Sequence, residues 1–300
     1  MSDVHPQLKW TDDQWTRVRQ AVHEEAQRVR VGASFLPLVG PLPADQQVVS
    51  RQLLTSDKPL DVDGHHVNHG IYVDDYSMAR LSTLAVNVYV RGAQVADPSL
   101  QSALQMFRRA ANVIARLEDA IIFNGETGTG KVAGDLTLGI PDIYTITGGQ
   151  EAPGLASDIS ADATVEVPKT EGPHSGRDIV KAVVEAIEKL EGTGHVGPFA
   201  CVLGDDLFLD ANTPNHNSMV LPSDRITPFL NGPLLRSSTL PRDRGVVVSL
   251  AGAPVDLVIA KDMSVQFLQI SFEPLYVFRV YERMHLRIKE RDAVVLLKAK

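Results

Sequence analysis

The chain has 300 residues, 44% of them apolar and 22% charged, with a formal net charge of −8 and a single cysteine, Cys201. This balance describes a globular protein; its acidity argues against a general affinity for nucleic acid, and one thiol excludes an internal disulfide or a zinc site built on several thiolates. The opening MSDVHPQLKWTDDQ lacks a basic start and an apolar run, and no apolar stretch reaches the ~18 residues of a membrane span, so a reducing cytosol is the expected setting.

The first predicted helix starts after Thr11, where Thr11-x-x-Gln14 is a capping box and Trp10 with Trp15 forms a hydrophobic staple. Trp15, Val18, Val22, Ala26 and Val29 recur at steps of three and four and make one apolar face, and Gly32 is expected to stop the helix. Residues 49–80 are polar, alternate in short pieces and carry an Asp63-Gly64 turn signal, which predicts a long β-hairpin arm with little core of its own. LSTLAVNVYVRG, 81–92, alternates as a strand does. A long helix follows at 99–123, with Leu100, Leu104, Phe107, Ala111, Ile114, Leu117 and Ile121 inward and Arg108, Arg109, Arg116, Glu118 and Asp119 around them. Residues 148–176, rich in Gly, Pro, Ala and acid, predict a long surface loop. A helix over about 176–190, a buried strand FACVLG and a run of C-terminal strands (GVVVSLAG, VDLVIA, SVQFLQIS, LYVFRVYERMHLRI, AVVLLK) complete the chain. Helices and strands do not alternate regularly, so the fold class is α+β.

Few stretches suggest chemistry. GETGTGK, 125–131, has the spacing of a phosphate-binding loop, but it follows a long helix rather than a strand, and Val132 stands where a magnesium-holding Ser or Thr belongs. A helix C-terminus repels phosphate; the segment reads as a connector with Gly125 as C-cap. His65, His66 and His69 form the one local histidine cluster, without a nearby carboxylate to complete a metal site. His195 and His216 lie in separate loops, Cys201 lies in an apolar strand, Asp205 is read as a helix cap, and no nucleophile elbow is present. No catalytic set, cofactor or metal is expected.

Taken in order, several segments resemble the encapsulins, bacterial shell proteins of the linocin type. These are the opening LKWTDDQWTRVRQAVHEEAQR, the following VGASFLPLVGP, the helix ending ANVIARLEDAIIFNG, the segment HVGPFACVLGDDLF, and the C-terminal strands from VDLVIAKDMSVQFL onward. The resemblance is collinear over nearly the whole chain. It implies the tailed-phage major-capsid (Hong Kong 97-like) fold: a peripheral domain from 1–48, 81–135 and 253–285, an extended loop at 49–80, and an axial domain from 136–252 and 286–300. It further implies a homo-oligomeric icosahedral nanocompartment with pores for small solutes. Such a shell encloses a peroxidase, ferritin-like or hemerythrin-like cargo enzyme recruited by a short C-terminal peptide.

On that resemblance, Trp15, Val18, Val22 and Ala26 are expected to line the cargo-peptide pocket, with the alternative that this face is core. Asn215, His216, Asn217 and Ser218 are expected near a five-fold pore. The region VRGAQVADPS departs from the family by lacking a tryptophan, so no flavin is expected. The subunit is expected to be marginally stable alone, because its arm shares burial with neighbours. A phage capsid protein packaging DNA, or a nucleotide- or metal-dependent enzyme, are the rival readings.

Overall fold

The computed structural model describes residues 8, 10–43, 45–55, 71–127, 131–132, 139–168, 175–214, 220–273 and 275–300. Helix α1, Asp12–Val29, begins where expected: Gln14 N donates to Thr11 Oγ1 at 3.3 Å, and Thr11 N donates to Gln14 Oε1 at 2.9 Å. The Trp10 and Trp15 rings meet edge to face at 5.3 Å, which pins the entry of the chain. The helix ends at Val29, before Gly32. Gly32 instead opens a short second helix, α2, Gly32–Phe35, where a Cβ would come within 2.5 Å of Ile122. The glycine is there for close approach and not as a helix stop.

After β1, Leu38–Val39, come the arm strands β2, Val48–Ser50, β3, Leu53–Thr55, β4, Tyr72–Asp74, and β5, Met78–Arg80. They pair as two short antiparallel ladders, β2 with β5 and β3 with β4. The long strand β6, Ser82–Arg91, leads through α3, Gly92–Ala96, into the 24-residue helix α4, Gln101–Asn124. At ~1.5 Å per residue this helix is ~36 Å long. Gly125 caps it in the left-handed region, φ 88°. From there β7, Gly125–Thr127, pairs with β9, Glu151–Pro153, while β8, Tyr144–Gly148, adds to β6. The start of GETGTGK is therefore a paired strand, not a flexible connector; residues 128–130 lie outside the described part.

The predicted surface loop at 148–176 also differs from expectation. It contains β9 and a further strand, β10, Thr164–Val167, and it buries Leu155 and Ala156. Their backbone N–H groups donate to Ile122 O (2.8 Å) and Phe123 O (2.7 Å), which satisfies carbonyls left open at the end of α4. Composition pointed to a loop, but these backbone bonds draw it inward.

The remaining elements are α5, Ser175–Gly192, β11, Phe199–Leu203, α6, Asp205–Ala211, α7, Pro222–Leu230, β12, Leu234–Arg236, β13, Arg244–Ser249, β14, Val255–Ile270, β15, Leu275–Ile288, and β16, Val294–Ala299. One five-stranded sheet has the order β1-β14-β15-β6-β8, the other β10-β16-β13-β11-β12. The separately predicted strands VDLVIA and SVQFLQIS are the single strand β14. Register shifts against β15 between Ile259 and Ser264 break its alternation, so the sequence reads as two pieces. Asp205 is the first residue of α6, whose N-cap is Gly204, and its carboxylate faces Arg236 at 3.7 Å.

Both sheets are buried by helices. In β11, Ala200 and Val202 face the core that contains α4, whereas Phe199, Cys201 and Leu203 face a second core under α5 and α7. This two-sided burial is why FACVL is a continuous apolar run. Cys201 is fully enclosed, and burial pushes its thiol up to about 12, so it is not a nucleophile. The first core centres on Phe278, which stacks on Trp10 at 4.8 Å and meets Phe107 edge-on at 5.3 Å. The sheet boundary differs from the expected domain boundary at 136, because 144–148 is an edge strand of the first sheet.

Candidate functional site

Trp15, Val18, Val22 and Ala26 are buried in the first core, packed with α4 and Phe278. That face of α1 is closed to a peptide, which corrects the expected pocket lining. The periodicity marked the face correctly as apolar, and the helix spends it on its own chain. Asn215, His216, Asn217 and Ser218, and the cluster His65, His66 and His69, lie outside the described residues.

An open groove of about 520 Å³ lies beside the other face of α1. It is lined by His23, Gln27 and Arg30 from the helix end, Ala33 and Ser34 from α2, the extended piece 38–41, and Ile259 and Asp262 from β14. The sequence places it there because α1 and α2 meet at a bend, and β1 then runs parallel to β14, with Leu38 opposite Leu257. Leu38 points its side chain outward and is 59% exposed. The wall is thus mixed: an apolar strip along Leu38, Val39, Pro41 and Ile259, with His23, Gln27, Arg30, Ser34 and Asp262 as polar anchors.

Beneath the groove sits a charge cluster. Arg30 places Nε 2.6 Å from Glu118 Oε2, donates Nη2–H to Glu282 Oε1 at 2.6 Å and Nη1–H to Asp262 Oδ1 at 3.0 Å. Glu118 and Glu282 are fully buried. Burial, followed by the Glu282 charge, raises the Glu118 carboxyl well above its ordinary range, against the pull of Arg30. Glu282 is raised by burial too, with Arg30 opposing. Burial thus favours the neutral form of each carboxyl, and the shared guanidinium opposes it. Asp119, next in sequence, accepts from Gly32 N at 2.7 Å and Val31 N at 3.0 Å, capping α2; burial raises it to about 7 despite those bonds.

The helix spacing places Glu118 and Asp119 in the polar surround of α4. The structure buries them, because the last turns of α4 are enclosed on nearly every side. The signal was present as two adjacent acids inside the apolar run LEDAIIF, a polar break that needs a buried partner. Among the described residues no group of three or more His, Cys, Asp or Glu is placed to hold a metal. The groove is open and partly apolar, and the Arg30 guanidinium in its lining is held by Glu118, Glu282 and Asp262.

The chain is similar to several known proteins in sequence and in structure. The family signature described as "Encapsulating protein for peroxidase" matches residues 143–285. The type 1 encapsulin shell protein EncA of Myxococcus xanthus is 26% identical over 298 residues, spanning 98% of this chain and 95% of the relative. A diheme-cytochrome-encapsulin shell fusion protein of Kuenenia stuttgartiensis is 23% identical, spanning 98% of this chain and 75% of that one. In structure, the virus-like particle of Pyrococcus furiosus matches at a TM-score of 0.66 with 13% identity, covering 95% of this chain and 99% of the other. The capsid of Myoviridae phage XM1 matches at 0.59 with 16% identity, covering 89% and 91%. At these identities the structural matches show the fold, which is the capsid fold.

Proposed function

We propose that this chain, a member of the encapsulin family, is a shell subunit. In this reading many copies close into an icosahedral compartment, and the groove beside α1 and β14 receives a short peptide from a cargo protein on the inner face. The observation that carries the reading is collinear similarity to a type 1 encapsulin shell protein across 98% of the chain, joined to a capsid fold. The phage capsid reading shares the fold; the sequence similarity to shell proteins, end to end, favours the encapsulin. The chain itself is structural, and any chemistry belongs to the enclosed protein. The family's name associates it with a peroxidase, and one relative is fused to a cytochrome, so the class of cargo stays open. No helix among the described residues is long and apolar enough to cross a membrane, and the compartment is proposed to be cytoplasmic.

A closed shell requires heterologous contacts that return on themselves by rotation. The arm at 49–80, with the exposed apolar side chains of its described part, would supply such a contact. The peptide cleft supplies the second activity: the apolar strip buries side chains, and the anchors fix register. Leu38→Glu places a charge on the exposed strip without touching either core. The expected result is intact shells that retain less than about a tenth of a co-expressed cargo enzyme, measured by densitometry of purified particles. Normal loading in that variant would remove the groove from the account.

A further inference from the structure

A second polar site lies where the arm joins the body. A cavity of about 90 Å³ opens between Arg51 and Leu53 at the arm's root, Pro153 of β9, and His285 and Arg287 of β15. His285 also lines a smaller space of about 10 Å³ with Ser82 and Glu126, room for about one water. His285 is 8% exposed, and among the described residues its imidazole makes no hydrogen bond or ion pair. Burial, followed by the Arg51 and Arg287 charges, pushes it down to about 4 with Asp256 opposing, so it is neutral and has one N–H to donate.

The charges around the cavity do not cancel. Arg287 donates from Nε (2.8 Å) and Nη2 (2.7 Å) to Asp256 and from Nη1 to Ser50 O at 3.3 Å. Lys289 Nζ shares the same carboxylate at 2.9 Å. One aspartate thus serves two cations. Among the described residues the Arg51 side chain makes no hydrogen bond or ion pair. Asp74 acts on it only through space, because its own carboxylate is taken by Ser77 and by Tyr76 N. Among the described residues, then, Arg51 has no contacting acid and His285 no hydrogen-bond partner, and both line one small space with Arg287, whose Asp256 is shared with Lys289.

A guanidinium fork beside a single N–H donor in a partly enclosed positive field fits a tetrahedral or planar oxyanion. We propose that this cavity is an oxyanion site, in which Arg51 and His285 donate to the ligand and Arg287 supplies field from behind. The chemistry is common to inorganic phosphate and to an Asp or Glu carboxylate presented by a second copy of the chain. The second source rests on the shell reading, and the first does not. Either one would fix the angle at which the arm leaves the body, because Arg51 belongs to the arm and His285 to the sheet.

The test uses the purified protein in its assembled state, with urea midpoints measured in phosphate and in chloride at matched ionic strength. If phosphate is the ligand, it raises the midpoint of the natural chain, and Arg51→Gln weakens the phosphate response at least about tenfold. If a neighbouring carboxylate fills the site, phosphate changes nothing. Arg51→Gln then lowers the midpoint, Arg51→Glu lowers it further, and Arg51→Lys restores most of it. The charge order separates this outcome from a packing role. The proposal is overturned if phosphate stabilises Arg51→Gln as much as the natural chain. It is equally overturned if phosphate has no effect and the Arg51 variants do not rank by charge. His285→Gln, which keeps a donor, should bind as the natural chain does, whereas His285→Phe should follow Arg51→Gln.

Discussion

The body and the arm solve the burial problem in opposite ways. Around Phe278 and α4, and again around Leu190 and Cys201, the chain closes its cores with its own residues. In the described part of the arm, two three-residue ladders leave Ile71, Tyr76, Val73 and Met78 about half exposed or more. The inner side of one ladder rests on the body, with Val49 and Ala79 packed against Val258 and Ala260, but the outward side chains have no such cover among the described residues. Short ladders gain little stability of their own, and an exposed apolar patch marks a contact. The body is therefore a self-sufficient fold, and the arm is a contact waiting for a neighbour. On this reading, the marginal stability expected of the isolated subunit would reside in the arm.

The largest effect should come from the arm. Replacing Ile71 and Tyr76 together by aspartate should abolish closed particles while the far-ultraviolet circular dichroism and the cooperative thermal transition of the body persist. Loss of the body's transition in that variant would mean the two regions are not separable. Next in size is the body. Phe278→Ala removes the ring that Trp10, Phe107 and Phe267 all meet, and should cost about 3–5 kcal/mol in urea unfolding. A cost below about 1 kcal/mol, as for a surface substitution, would deny that this cluster centres the core.

A smaller effect should appear in pH. Asp119 ionises at about 7 in the fold against 3.8 as its ordinary value. A carboxyl raised on folding contributes stability that is full below the ordinary value and is lost as pH rises through the folded one. Between pH 5 and pH 8 this should remove about 2 kcal/mol from the natural chain, and Glu118 adds in the same direction. Asp119→Asn keeps an acceptor for Val31 and Gly32 and should flatten that decline; an unchanged slope would show that Asp119 is ionised throughout. His285 acts in the opposite direction. It stays neutral in the fold to about 4, while the unfolded chain protonates near 6.5. Its contribution is therefore lost as pH falls below 6.5, and His285→Gln should remove that part of the acid-side decline.

Much of this division was legible in the sequence. The capping box at Thr11, the apolar face of α1 and the Gly125 cap follow from local rules that tertiary contacts do not override; the arm's Asp63-Gly64 turn lies outside the described residues. Legibility failed where burial comes from distant chain. Leu155 and Ala156 sit in a Gly- and Pro-rich stretch, and only their bonds to the end of α4 draw them inward. Glu118 and Asp119 look like solvated helix charges until Arg30 and the N–H groups of α2, 88 residues away in the case of Val31, are brought against them. The proposed cleft differs from the expected pocket lining for a related reason. Periodicity says which face of α1 is apolar, but not whether that face is spent on the body or left for a partner, and here α4 takes it. The proposed cleft lies instead beside the helix, in the bend between α1, α2 and β14.

The most direct test of a self-sufficient body with a contact-seeking arm is the size of the purified natural chain, by size-exclusion chromatography with light scattering followed by negative-stain microscopy. The account predicts uniform hollow particles tens of nanometres across with no significant monomer at physiological salt. A monodisperse, cooperatively folded monomer or dimer would contradict it, because the exposed arm would then have no neighbour to complete it.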